Sequence, residues 1–263
     1  MKKKTKCFNS ISTISKIIVI FLVSFNSFLY GQDSSETLTD IDGNVYRTVK
    51  IGNQWWMAEN LKVTHYRNGD PIPNVKKSTW TYPEPFVMNS TWTGLSIGAY
   101  CVYDNNKKLI ATYGLLYNWY ALKDDRNIAP EGWHVPTLED WIILIHYLGG
   151  DSTILGSERQ PPVTYDIVGG KMKETGTEHW NSPNIGATNE SGFSALSGGG
   201  RDTHDGQFRD LGKCATFWSA TDSCPFPVCS LAWNVSLYSG VSIITRSENN
   251  PIAYGYSVRL IKD

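Results

Sequence analysis

Gly132-Trp133-His134-Val135-Pro136-Thr137, followed by Leu138–Leu148 and closed by Gly149-Gly150, is the stretch from which the fold is read. Pro136 biases Val135 toward extended angles. Thr137 stands where an N-cap is needed, and Asp140 follows three positions later, close to the capping-box pattern. Leu138, Trp141, Ile142, Ile145 and Leu148 then recur at helical spacing on one stripe. Gly149 offers a left-handed stop. The expectation is a helix of about three turns. It is apolar on one side, so it is laid on a sheet.

Upstream of that helix, Val45–Ile51 and Gln54–Met57 read as two strands joined by a turn at Gly52-Asn53. Residues 67–99 are rich in Pro, Asn, Ser, Thr and Gly and read as a long surface region. Ala99–Tyr103 reads as a strand. Tyr113–Leu122, with Leu115, Leu116, Trp119 and Leu122, reads as a first helix. Downstream, Gly169–Glu174 reads as one helical turn. Thr175–Gly200 shows little periodicity. Short strands are expected at Phe217–Ala220, Leu231–Leu237, Val241–Thr245 and Tyr256–Ile261. Two helices between an N-terminal hairpin and late strands make this an α+β pattern, not an alternating β-α-β one.

Residues 2–6 carry four lysines, and Ile17–Phe25 is a run dominated by apolar side chains. A basic start and an apolar stretch too short to span a bilayer read as a signal peptide, residues 1–31, cleaved after Gly31. Residues 32–39 read as a short polar linker and 40–263 as one domain. Export to the cell envelope or the medium is the expectation, with no membrane span after cleavage. Residues 1–31 hold five of the 24 basic residues and no acid, which leaves 19 against 25 acidic residues, a net of −6. That balance argues against nucleic acid as a partner.

Four cysteines remain: Cys101, Cys214, Cys224 and Cys229. Export implies an oxidising compartment, and three pairings are open. Cys224-Pro-Phe-Pro-Val-Cys229 can close a small loop, which leaves Cys101 with Cys214. Four reduced, buried thiols are the other reading. No C-x-x-C pair and no two histidines at ligand spacing point to zinc.

The chain holds ten Trp, fourteen Tyr and nine Phe. Trp55, Trp56, Trp119, Trp133 and Trp141 lie in periodic or strand-like segments and are assigned to the core. Trp80, Trp92 and Trp180 sit in polar loops and stay open between exposure and burial. Gly94-Leu95-Ser96-Ile97-Gly98 matches G-x-S-x-G, but a strand follows it where a nucleophile elbow needs a helix.

Several runs together carry a family resemblance: "DIDGNVYRTVKIGNQWWMAENLKV", "YGLLYNWYAL", "GWHVPTLEDWIILIHYLGG", "GGKMKETGTEHWNSPNIGATNESGFSALSGGGRD", "FWSATDS", "AWNVSL" and "YGYSVRL". In this order, over about Asp40 to Asp263, they resemble the Fibrobacter succinogenes major paralogous domain family. The resemblance implies a C-type-lectin-like fold, shared with formylglycine-generating enzymes. In it two helices flank short antiparallel strands, the terminal strands pair, and long irregular loops of the second half form a ligand face.

Within that half, Gly198-Gly199-Gly200-Arg201-Asp202 with His204 is the polar cluster singled out for a ligand. The glycines allow close backbone approach, and Arg201 carries a planar fork of donors. Asp202 adds a carboxylate and His204 an imidazole. Trp218, Trp233 and Asn234 are expected beneath or beside it. The rival reading ties Arg201 to Asp202 or Asp210 inside a rigid loop. Sugar-binding C-type lectins use calcium with a Trp-Asn-Asp motif. Here Trp233-Asn234-Val235 lacks the carboxylate, so no cofactor is expected and the motif does not support calcium. The function expected is a non-enzymatic binding or surface-interaction module, for polysaccharide or another cell-surface ligand. The alternatives are an oxidase of the formylglycine-generating type and a purely structural envelope protein.

Overall fold

The structure is a computed structural model, and it describes residues 36–76, 92, 94–150, 167–223 and 230–263. Val45–Ile51 (β2) and Gln54–Met57 (β3) form the expected hairpin, with Gly52 at φ +62° in the turn. Thr37–Thr39 (β1), inside the stretch read as a linker, pairs with β2 on its outer side. Ile261–Lys262 (β12) pairs with β3 through Ile261 and Trp56, and on its other side with Trp133–His134 (β6). The first sheet therefore runs β1-β2-β3-β12-β6, antiparallel throughout.

The second sheet has the order β11-β10-β9-β7-β8. Its members are Gly198–Arg201 (β7), Phe208–Leu211 (β8), Cys214–Asp222 (β9), Leu231–Tyr238 (β10) and Ile244–Pro251 (β11). Only the β7–β9 contact is parallel. Both of its faces are covered. Phe217 faces one apolar cluster, with Trp56, Trp141, Phe193 and Val235, while the next residue, Trp218, faces another, with Trp119, Val258 and Ala232. Burial on both faces explains why β9 is buried at successive positions from Cys214 to Ser219 and not at alternate ones.

The helix read from the opening stretch is Leu138–Tyr147. It has the full capping box between Thr137 and Asp140 and Gly149 at φ +92° behind it. Trp141, Leu144 and Ile145 are buried, and Trp141 packs against Trp56 with ring centroids 4.7 Å apart. The other expected helix does not form. Tyr113–Leu122 breaks into a single turn, Ile110–Tyr113 (α1), a two-residue strand, Leu116–Tyr117 (β5), and a short helix, Trp119–Lys123 (α2). Gly114 causes the break. It sits at φ +70°, where a Cβ would lie 2.7 Å from the Leu61 carbonyl oxygen. Asn118 then caps α2 by accepting from the Ala121 N–H. Leu138–Tyr147 is accordingly α3, and Val168–Met172 (α4) is the helical turn expected near Gly169.

The α+β class with two flanking helices is thereby corrected. The described residues are 33% strand and 16% helix, so the molecule is mostly β, built from antiparallel sheets with one helix of ten residues. Ala99–Tyr103 shortens to Tyr100–Cys101 (β4), paired with β5. The last expected strand reduces to bridges at Tyr256 and Ser257 followed by β12.

Candidate functional site

The cluster Gly198–His204 forms a hairpin, not an irregular loop. β7 pairs antiparallel with β8, and Gly199, at φ +60°, lies so close that a Cβ would stand 2.3 Å from the Arg209 carbonyl oxygen. The strand then bonds to the C-terminal segment, with Arg201 and Gly255 exchanging N–H···O bonds of 2.9 Å in both directions.

Arg201 and its neighbours part company here. Arg201 is 0% exposed. Its Nε donates to the Gly206 carbonyl at 3.0 Å and its Nη1 to the Val75 carbonyl at 2.6 Å. Its guanidinium lies over Trp92 at 4.6 Å and Phe208 at 5.0 Å. It pairs with neither Asp202 nor Asp210. Asp202 instead accepts from the His204 amide at 2.6 Å, meets His204 Nδ1 at 3.0 Å and accepts from Arg209 Nε at 3.3 Å. Arg209 also donates to Asp205. Burial raises the Asp202 carboxyl, but these bonds from His204, with the Arg209 charge, more than offset it and hold the group below its ordinary value. The His204 side chain is 71% exposed and that of Arg209 52%.

Beneath His204 lies a column of rings. His204 meets Tyr254 edge-on at 6.4 Å, and Tyr254 stacks on Tyr256 at 5.2 Å with only 7° between planes. Tyr256 packs on Trp218 at 4.8 Å, and Trp218 Nε1 donates to the Tyr117 carbonyl at 2.8 Å. A column anchored in the core thus ends at a solvent-facing polar network. The Fibrobacter succinogenes major domain model matches residues 49–262, a span that contains both. The chain belongs to that family. No curated protein and no solved structure matches the chain.

In this Fibrobacter succinogenes major domain, Asp202, His204 and, in the layer below, Trp218 come together. Asn234 lies opposite Trp218 in the β9–β10 register and is buried. Trp233 is on the other face of the sheet, under the Arg246 guanidinium at 5.4 Å. Sequence reasoning did not single out Tyr254, Tyr256 and Arg209. The available signal was Tyr254-Gly255-Tyr256, because two rings at i and i+2 of an extended segment share a side. Gly255 between them leaves room for Trp92, whose ring carbon would stand 2.9 Å from a Cβ there.

The family domain carries two further buried cations. Lys173 Nζ donates to the carbonyls of Ile185, Tyr238 and Val241 at 2.8, 2.9 and 2.8 Å, and burial pushes its ammonium down to about 8. Arg259 donates to Asn60 Oδ1 at 3.0 Å and to the carbonyls of Met57, Phe193 and Ser194, with burial pushing it down to about 9. Its guanidinium lies 4.2 Å from the Phe193 ring.

Of the open pairings, Cys101 with Cys214 does not form: both are free, buried thiols. Cys101 sits on β4 in the small cluster with Trp92, beside Arg201, whereas Cys214 starts β9 with its Sγ 3.2 Å from Thr216 Oγ1. Burial pushes their thiols up to about 12 and about 11, the opposite of what a reactive thiolate needs. Cys224 and Cys229, like Trp80, lie outside the described residues. Trp92 and Trp180 are buried, Trp180 with its Nε1 on the Ala195 carbonyl at 2.9 Å. Among the described residues no group of three or more His, Cys, Asp or Glu is placed to hold a metal, and no helix is long and apolar enough to cross a membrane.

Proposed function

We propose that this domain is a non-enzymatic binding module acting outside the cytoplasm. Its ligand face would be the Asp202–His204–Asp205–Arg209 network with the half-buried Tyr254, and its ligand a polysaccharide. The observation that carries the reading is the ring column from Trp218 through Tyr256 to Tyr254, which holds an aromatic side chain rigidly beside fixed carboxylates, a guanidinium and an imidazole. Aromatic faces pack on the apolar faces of sugar rings, and a preorganised polar rim limits the ordering cost of binding hydroxyl groups. Arg201 acts from below, fixing the hairpin. The Lys-rich start and the Ile17–Phe25 run motivate export.

A glycan array and polysaccharide pull-down, with and without calcium, tests the reading. Tyr254→Ala and Asp202→Ala should each weaken capture about tenfold or more, about 1.4 kcal/mol, with little change in melting temperature. Loss of binding in Arg201→Ala alone, at unchanged melting temperature, would move the ligand contact to Arg201. No capture of any glycan would favour a purely structural envelope role.

A further inference from the structure

Two buried tryptophans lie on either side of β9 and have different neighbours. Trp141 meets Trp56 at 4.7 Å and Phe193 and Phe217 at 5.9 Å, its ring contacts among the described residues. Trp218, the residue after Phe217, meets Tyr256 at 4.8 Å, and Tyr256 meets Tyr254 at 5.2 Å. Both indoles are fully buried, whereas Tyr254 is half-buried beside the polar network. A phenyl ring is very hard to oxidise, while an indole and a phenol each give up one electron readily. An oxidising equivalent that reaches Trp141 therefore stays on the tryptophans there. One that reaches Trp218 has a path of touching rings toward solvent.

The placing of protons and charges sets the direction of that path. Trp218 Nε1 donates to the Tyr117 carbonyl at 2.8 Å, and a peptide oxygen is too weak a base to take the proton. An indole that has lost an electron there stays a cation, its more oxidising form. The Tyr256 hydroxyl lies 3.5 Å from Asn250 Oδ1, again an amide oxygen, and burial raises this phenol well above its ordinary value. Tyr256 thus passes an electron on but has no base that would trap the hole. At Tyr254 the phenolic proton can leave to solvent. Burial raises the Tyr254 phenol as well; the Asp202 charge adds to this, the Arg209 charge opposes it and the Asp205 charge adds again. Two carboxylates against one guanidinium favour positive charge on the Tyr254 ring over the rings beneath it.

We propose that the column is a one-electron relay, which makes Tyr254 the oxidative modification site for a hole created at Trp218. A one-electron oxidant removes an electron from Trp218 and leaves the indole radical cation. Tyr256 supplies an electron to Trp218 and is refilled from Tyr254. The phenolic proton of Tyr254 passes to solvent, and a neutral phenoxyl radical remains on that ring. The sum of the step is one electron to the oxidant and one proton to water.

Illumination of the full chain in the tryptophan absorption band tests it, because light reaches buried and exposed indoles alike. A cobalt(III) ammine complex takes up the ejected electron and is reduced to cobalt(II) without releasing a radical. In aerated buffer, indole radicals that persist combine with dioxygen, and a nitroso spin trap bonds to the Tyr254 radical. Peptide mass spectrometry then reads the oxygenated fraction at Trp218 and Trp141 and the trap adduct at Tyr254. In the wild type, Trp218 should be oxygenated several-fold less than Trp141, with the adduct on Tyr254. Y256F keeps the ring stack and removes the relay, so the Tyr254 adduct should fall several-fold and Trp218 oxygenation should rise several-fold, with Trp141 unchanged. Circular dichroism establishes that the variant folds. If it does not, Y254F replaces it, and Trp218 oxygenation should again rise with Trp141 unchanged. Equal oxygenation of Trp218 and Trp141 in the wild type would overturn the proposal. So would a Tyr254 adduct that Y256F leaves intact, which would mean direct oxidation of Tyr254, or a folded Y254F in which Trp218 is spared as before.

Discussion

Two sets of charges in this molecule are neutralised in opposite ways. Lys173, Arg259 and Arg201 are buried, and the partners described above are carbonyl and amide oxygens and aromatic faces. Asp202, His204, Arg209 and Asp205 lie at the surface and neutralise one another. A cation out of water must be surrounded by fixed dipoles, and the backbone that supplies them is thereby fixed in turn. Lys173 ties the Ile185 loop to the end of β10 and to the turn that leads into β11. Arg259 ties Met57, at the end of β3, to Phe193 and Ser194. A surface ion-pair network has water as an alternative partner and contributes far less. The buried set should therefore govern stability, and the surface set should be open to ligand.

The widest gap is expected at Arg259. Arg259→Ala removes the only described partner of several buried acceptors and opens a cavity, and should cost about 3–5 kcal/mol in chemical denaturation. A loss under about 1 kcal/mol would mean that water replaces the guanidinium, and the contrast between the two sets would collapse. Lys173→Met keeps the stem and removes the charge, so a smaller loss of about 2–3 kcal/mol is expected. Its effect should be local, with faster amide exchange at Ile185 and Gly170, whose N–H groups bond to Ser239 and Ser242. Arg201→Lys keeps the charge but loses the fork that reaches both Gly206 and Val75, and about 1–2 kcal/mol should follow.

The smallest effect belongs to the surface. Asp202 titrates below its ordinary value of 3.8 in the folded chain, so its contribution is fully present above that value and is lost as the pH falls through the lowered one. Wild type should therefore lose stability relative to Asp202→Asn only in acid below about pH 4, by under about 1 kcal/mol. A difference that persists unchanged across that range would show that the carboxylate charge is not what the network uses.

The legibility of the chain follows the same division between local and distant causes. The β2–β3 hairpin and α3 were readable with their boundaries, because a turn, a capping box and a stop glycine act within a few residues. The break at Gly114 was not, because the backbone that draws the chain aside there is that of Leu61, more than fifty positions away, whose carbonyl accepts from the Leu115 N–H and leaves no room for a Cβ at position 114. The polar cluster around residues 201–209 was half readable. Asp202 and His204 emerged from their residue types, and Arg201 was read as a ligand donor with the locked-loop reading beside it.

By itself the sequence determined the family, the helix at 138–147, the first hairpin and the polar character of the 201–209 stretch. These rest on local propensity, on hydrophobic period and on a long ordered run of motifs. Only the tertiary structure decided that strands outweigh helices, that Cys101 and Cys214 sit apart as buried thiols, and that Arg201 is shut inside while His204 faces water. The physical reason is that burial belongs to the arrangement and not to the residue. Arg201 and Asp202 are adjacent, and on an extended chain successive side chains leave on opposite sides. Which of those sides meets a carbonyl, a ring or solvent is set by segments such as Val75 and Gly255 that the chain brings in from elsewhere.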